Sequence, residues 1–275
     1  GAVDLALLVV AADDGWMPQT EEHLQILTYL GASQGVVALT KADLIEDSAE
    51  RIAEIRDQLR DSPLANATII PTSSHTGTGL EELKNALSAA ADQMTPHEDY
   101  GQPRLAVDRV FSLQGIGTVV TGTLTGGVIA KGQTVTAQPP GRKTRIRSLQ
   151  SHNCDQDTAQ PGTRTALNLS DASRETVMRG ATVTLPELAT PTKTLDVQLS
   201  RSSRLSKEAA PLRNNTRVRV HHGSGHWPAR LVLVEGKNLE PGQTQLAQLR
   251  LERPVCVWPG DRIVIRNWPE SATLA

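Results

Sequence analysis

The stretch Gly35-Val36-Val37-Ala38-Leu39-Thr40-Lys41-Ala42-Asp43 decides the fold. Its first five residues read as a short buried strand of the kind found in parallel sheets. The strand gives way at Thr40-Lys41-Ala42-Asp43, and ligands of open α/β sheets gather at the carboxyl ends of strands. There, the Asp43 carboxylate can accept two hydrogen bonds from the ring N–H and exocyclic amine of guanine. Adenine presents no such donor pair. The aliphatic stem of Lys41 can cover the face of the base. Four residues alone occur by chance, so the flanking sequence has to support them.

It does so on both sides. Val3 to Val10 is a continuous apolar run, which predicts a parallel strand covered on both faces. Pro18, Glu21 and Glu22 suit the start of a helix, whose stripe Leu24, Leu27 and Leu30 ends at Gly31. Further helices are predicted over Ser48–Leu59 and Leu80–Ala91, with a third strand over Ala67–Pro71. Strand-helix alternation of this kind predicts a parallel α/β sheet. The third strand runs into Pro71-Thr72-Ser73-Ser74-His75-Thr76-Gly77-Thr78-Gly79. This is where a second base-contacting loop belongs, with Ser73, Ser74 and His75 as its candidates and a backbone N–H for the guanine carbonyl. No glycine-rich phosphate loop ending in Gly-Lys-Ser/Thr occurs anywhere in the 275 residues.

Charge divides the chain as sharply as periodicity does. Residues 1–100 carry 5 Lys+Arg against 17 Asp+Glu, whereas residues 101–275 carry 23 against 13. An acidic first part joined to a basic remainder points to a polyanion as the partner of the remainder. The longest apolar run, Leu5 to Ala12, is too short to span a bilayer. Cys154 and Cys256 lack metal-ligand spacing and can form one bridge at most, so a reduced, cytoplasmic setting and no membrane association are expected.

Residues 94–103 read as a linker, after which short β runs separated by glycine-rich turns replace the alternation. The division expected is 1–93 for the α/β part, 104–188 for one antiparallel barrel and 189–275 for a second.

Val3-Asp4-Leu5-Ala6-Leu7-Leu8-Val9-Val10-Ala11-Ala12-Asp13-Asp14-Gly15, followed by Met17-Pro18-Gln19-Thr20, resembles the translational GTPases just after their switch II motif. Residues 1–93 are then similar to the C-terminal part of a GTPase domain. Thr40 stands where most members have asparagine and resembles the selenocysteine-specific branch. The resemblance implies GTP and GDP as ligands, while the phosphate loop, the Mg²⁺ ligands and the switch segments lie outside these residues. No catalytic residue is therefore assigned here, and negligible GTP hydrolysis is expected of this chain by itself. A turnover comparable to intact members would contradict that expectation.

The resemblance continues in the barrels. Val107-Asp108-Arg109-Val110-Phe111, Gly115-Ile116-Gly117-Thr118-Val119-Val120-Thr121-Gly122-Thr123, Gln160-Pro161-Gly162 and Met178-Arg179-Gly180 are similar to the second domain of tRNA-carrying elongation factors. Val220-His221-His222-Gly223-Ser224 and Arg266-Asn267-Trp268 resemble the third. The general carrier has an acid at Arg109 and an asparagine at Arg164, both facing the aminoacyl group, and arginine at both resembles the selenocysteine-specific branch. Asp108 and Phe111 flank that pocket. A selenol is a much stronger acid than a thiol, so its residue is an anion at neutral pH. A unit charge pair near 4 Å at a partly screened site is worth about 4 kcal/mol, roughly a thousandfold in affinity. Alternatively, the arginines pair with nearby acids such as Asp108 or Asp171.

By the same resemblance the partners expected are selenocysteinyl-tRNA and the ribosome. An mRNA hairpin would be reached only through C-terminal modules outside these residues. Arg142, Lys143, Arg145 and Arg147, together with Arg213, Arg217 and Arg219, are candidates for tRNA phosphates. A solvated strand face is the alternative for the first four. His221, His222 and His226 do not predict a metal, because no cysteine or acid is placed to complete a site. Trp227, Trp258 and Trp268 are expected to pack inside the barrel. Three other assignments remain: a general or initiator tRNA carrier, the GTPase subunit of a small-molecule enzyme, and a purely RNA-binding remnant.

Overall fold

The computed structural model describes residues 3–113, 117–170, 177–205 and 209–275. It divides into two compact units, one ending at Thr95 and one beginning at Pro96. In the first unit β1 (Ala6–Ala11), α1 (Pro18–Leu30), β2 (Gly35–Thr40), α2 (Ala49–Leu59), β3 (Thr68–Pro71) and α3 (Leu80–Asp92) alternate. The strands form a parallel sheet in the order β1-β2-β3. Val36 to Leu39 of the central β2 are all buried, as a strand with both faces covered must be. Pro18 opens α1 and left-handed Gly31 closes it, its N–H bonded to the Leu27 and Thr28 carbonyls.

β1 departs from the sequence expectation. It begins at Ala6 rather than Val3, and only one of its faces is covered. Ala6, Leu8 and Val10 enter the core with Leu24, Leu39, Ile55 and Leu59, while Leu7 and Val9 are 46% and 54% exposed. Continuous hydrophobicity predicted two covered faces, but no described element packs against the second.

The second unit is antiparallel. Its strands are β4 (Arg104–Leu113), β5 (Gly117–Thr125), β6 (Ile129–Ala130), β7 (Thr134–Gln138), β8 (Arg142–Ser151), β9 (Cys154–Gln156), β10 (Thr158–Ala159), β11 (Arg164–Leu169) and β12 (Thr182–Thr184). There follow β13 (Thr192–Ser200), β14 (Leu212–Arg213), β15 (Arg217–His222), β16 (Gly225–Leu233), β17 (Asn238–Leu239), β18 (Thr244–Val255) and β19 (Val264–Asn267). The first set runs β11-β5-β4-β12-β7-β8-β9, and a β11–β8 pairing closes it into a barrel. Leu105, Val107, Val120, Leu124, Ile146, Leu149 and Leu167 fill the interior. The second set pairs in the order β13-β18-β16-β15-β19 around its own core of Leu195, Val218, Trp227, Leu231, Leu249 and Ile265. The short strands β6, β9, β10, β12, β14 and β17 escape sequence reading because two or three residues hold no detectable period.

The two barrels make one unit. Arg104 Nη1 lies 2.7 Å from Asp261 Oδ1, Ser224 Oγ donates to the Val107 carbonyl at 2.5 Å, and Arg179 Nε donates to the Ser224 carbonyl at 3.0 Å. Cys154 is exposed and Cys256 buried, both as free thiols. Burial pushes the Cys256 thiol up to about 11.

Candidate functional site

The end of β2 and the turn after β3 are built together. The Thr72 N–H donates to the Leu39 carbonyl at 2.7 Å, and the Ala42 N–H to the Thr72 carbonyl at 3.1 Å. These bonds set the two loops side by side. Thr40 bonds the neighbouring strand through its hydroxyl, to the Val10 carbonyl at 3.4 Å. Lys41 takes a left-handed backbone, φ 56°, and Asp43 follows in the short 3-10 turn Ala42–Leu44.

Ser73 organises the second loop. Its buried hydroxyl accepts the N–H groups of His75 at 3.2 Å and Thr76 at 3.1 Å, and it bonds the Asp43 carboxylate, which this contact holds below the usual range. Ser73 is thus a positioning group for Asp43, while Ser74 and His75 are exposed. The exposed Ser74 N–H has no protein acceptor among the described residues. Ser73→Ala is expected to raise the Asp43 pKa toward the ordinary 3.8. Carboxyl chemical shifts followed by NMR between acid and neutral pH check this; an unmoved Asp43 would count against the Ser73 contact.

Sequence reading missed Asp13 and Asp14. Lys41 Nζ lies 2.7 Å from Asp13 Oδ2 and 3.7 Å from Asp14 Oδ2. The Asp13 hydrogen bond holds the ammonium group charged, raising its pKa. Both acids follow β1 at the same end of the sheet as the Lys41 loop, a neighbourhood that the order of parallel strands implies.

In the first barrel a β-bulge shapes the second group of candidates. The β4–β5 register shifts between Val107 and Arg109, leaving Asp108 as the extra residue. Val107 is buried and Val110 packs on the core, so the bulge sends both Asp108 and Arg109 outward. Arg164, on the far side of β5, reaches back to form a two-pronged pair, Nη1 to Asp108 Oδ2 at 2.5 Å and Nη2 to Oδ1 at 3.1 Å. Thr121 Oγ1 also donates to Asp108 Oδ1 at 2.7 Å. Burial alone would raise the Asp108 pKa, but Arg164, Thr121 and the charge of Arg109 outweigh it and hold the carboxyl low.

The structure therefore does not present two bare arginines. Arg164 is compensated by Asp108, while Arg109 is exposed with no ion pair among the described residues. Phe111 is an exposed residue two positions on along β4. Gly115, Ile116 and Asp171 lie outside the described residues.

The basic candidates fall on separate barrels. Lys143, Arg145 and Arg147 share the outer face of β8 with Arg142 at its start, and Arg145 Nε is tied to the Gly132 carbonyl at 2.7 Å. Arg213 is exposed on β14. Arg217 pairs with Glu252 at 3.1 Å and Arg219 with Glu270 at 3.3 Å. Both also stack on Trp268, at 3.9 and 4.8 Å from the ring centre. Trp268 and Trp258 correct the packing expectation, since Trp268 is 36% exposed and Trp258 carries Arg104 at 4.7 Å. Of the three tryptophans only Trp227 is a core residue.

Acids do approach the histidines, from a distance in sequence. His222 Nε2 lies 2.9 Å from Asp261 Oδ2 and His221 Nε2 3.6 Å from Glu270 Oε1. These are separate pairs, and no group of three such side chains capable of holding a metal occurs among the described residues. Burial holds the His221 imidazole below its ordinary value, with Glu270 opposing.

Comparison with known proteins assigns this geometry to a family. Residues 1–93 match the elongation factor Tu GTP binding domain, 117–184 match elongation factor Tu domain 2, and 199–275 match the beta-barrel domain of selenocysteine-specific elongation factor. The selenocysteine-specific elongation factor of Desulfomicrobium baculatum is 39% identical across 99% of this chain and 43% of its own length. That of Escherichia coli (strain K12) is 33% identical across 100% of this chain and 42% of its own. The chain thus spans less than half the length of these relatives. The crystal structure of bacterial selenocysteine-specific elongation factor EF-Sec matches with a TM-score of 0.85 at 26% identity, over 98% of this chain and 43% of that one. The chain belongs to the selenocysteine-specific elongation factors, within the translational GTPases.

Proposed function

We propose that this chain supplies the guanine-reading and aminoacyl-reading parts of a GTP-dependent factor that delivers selenocysteinyl-tRNA to the ribosome. The single observation that carries the reading is the Asp108–Arg109–Arg164 group on the first barrel. A selenolate would meet Arg109, which has no ion pair among the described residues, while Arg164 is oriented by Asp108. A neutral seryl group gains nothing comparable from either guanidinium.

On the nucleotide side the residues present fit a guanine. Asp43, held ionised by Ser73, would accept from the ring N–H and amine, and the Ser74 amide, without a protein acceptor among the described residues, would donate to the base carbonyl. Lys41 would leave Asp13 to lie along the base, and Thr40 braces the loop against β1. GTP would supply the energy of the delivery cycle through hydrolysis, and this chain by itself is assigned no turnover. The basic faces of β8 and β15 are the sides on which tRNA phosphates are received, with Arg217 and Arg219 exchanging Glu252 and Glu270 for them.

Filter binding of charged tRNAs to the protein tests the proposal. Arg109→Ala and Arg164→Ala are each expected to weaken selenocysteinyl-tRNA by at least about tenfold while changing seryl-tRNA by less than about twofold. Equal losses for the two tRNAs would refute the assignment and favour a general or initiator tRNA carrier.

A further inference from the structure

Where the two barrels meet they form a half-open pocket of about 570 Å³ that neither the nucleotide loops nor the Asp108 group touches. Pro139, Pro140, Met178 and Arg179 line it from the first barrel, and Trp227 and Arg253 from the second. Its base is a contact of bare backbones. A Cβ built on Gly225 would lie 2.9 Å from the Gly180 Cα and 2.7 Å from the Trp227 ring. Glycine at this point lets the barrels close, with the nearly buried Trp227 indole packed against it and reaching the pocket by its edge. Met178, 61% exposed, stands at the mouth.

The two arginines give the cavity its chemistry. Arg179 Nε donates to the Ser224 carbonyl at 3.0 Å, and Arg253 Nη2 donates to the His226 carbonyl at 3.3 Å. Each guanidinium is thereby anchored along the same β15–β16 hairpin, with no further acceptor for its remaining N–H groups among the described residues. Neither has a carboxylate partner among the described residues. A positively charged pair in a mainly apolar pocket, with Ser224 and His226 as its other polar lining, is complementary to an anionic head on an apolar body, because guanidinium groups recognise planar oxyanions bidentately. The volume lies within the range of small-molecule sites.

We propose that this cavity binds a small organic anion with a planar apolar body, of the aromatic carboxylate or sulfonate class. Its head group sits on Arg179 and Arg253, and its ring lies against Pro139, Pro140 and Met178, at the edge of the Trp227 indole. Both barrels contribute walls, so occupancy favours their present arrangement over any other by mass action.

Calorimetric titration of the chain with 8-anilinonaphthalene-1-sulfonate, and separately with uncharged N-phenyl-1-naphthylamine, tests this. One saturable sulfonate site is expected. The double variant Arg179→Gln, Arg253→Gln should weaken it at least about tenfold and leave the uncharged probe within about twofold. If the double variant lacks a cooperative unfolding transition, Met178→Glu replaces it, since a carboxylate at the exposed mouth repels the sulfonate and must produce the same loss. A folded variant of either kind with parental sulfonate affinity overturns the proposal. So does sulfonate binding that does not saturate at a single site, the behaviour of dye collecting on the open Leu7 and Val9 face.

Discussion

Replacing Asp261 with alanine is expected to destabilise the barrel unit by about 3 kcal/mol. This carboxylate, only 12% exposed, joins the two barrels. It receives Arg104 Nη1 from β4 at 2.7 Å, His222 Nε2 from β15 at 2.9 Å and the Trp258 N–H at 3.0 Å. Removing it leaves Arg104 against Trp258 with, among the described residues, the Thr125 hydroxyl at 3.3 Å. Breaking a buried pair from one side costs about 3–5 kcal/mol, and the partial exposure of Arg104 selects the lower end. For a unit of this size the melting temperature should fall by about 6–12 °C. An Asp261→Ala chain within about 0.5 kcal/mol of the parent in urea unfolding would show that the clasp contributes nothing.

Acid provides a second reading of the same contact. Burial would raise the Asp261 pKa, but the His222 hydrogen bond, the Trp258 amide and the Arg104 charge outweigh it, and the group titrates below its ordinary 3.8. A depressed folded pKa means that the unfolded chain binds the proton first. The stabilisation is therefore complete above the unfolded value and is lost as pH falls through the folded one. The gap between parent and Asp261→Asn should narrow below about pH 4. A constant gap across that window would rule out the ionised carboxylate as its source.

Gly122→Ala should cost about 3 kcal/mol and disable the proposed aminoacyl-reading group with it. Gly122 lies on β5 opposite Val107, one step before the bulge. An added Cβ would stand 2.2 Å from the Ala106 carbonyl oxygen and 2.9 Å from Leu105 Cδ2. A backbone oxygen in a paired strand cannot swing aside as a long side chain can, so β4 must shift bodily. The bulge is what places Asp108 and Arg109 on one surface, and moving β4 separates Asp108 from Arg164. Urea unfolding reads the first effect and the tRNA discrimination ratio reads the second. A G122A chain with parental stability would mean that the strands are not so closely apposed.

Much of this was legible in the chain. The 3.6-residue stripe of α1 ends at a glycine, and the run Gly35–Leu39 ends in a polar loop; both patterns are local, and both elements lie where the pattern puts them. The strand parity that puts Lys143, Arg145 and Arg147 on one face is equally local. What escaped was set by contacts between distant residues. Nothing around Asp108 announces a bulge, because the extra residue exists only relative to β5. Trp268 reads as a core aromatic until Arg217 and Arg219 are seen stacked on it. His222 had no acid beside it in sequence, yet Asp261 reaches it from the segment before β19.

The sequence by itself determined the α/β alternation, the longer strands and the family, because each rests on residue types at short, fixed spacings. Tertiary structure alone decided which charges meet: Lys41 with Asp13, Arg164 with Asp108, and Arg104 with Asp261. It likewise left Leu7 and Val9 uncovered and opened a cavity between the barrels. The physical reason is that an ion pair or a cavity depends on separations of a few ångströms between segments far apart in the chain, and only the assembled core fixes those separations.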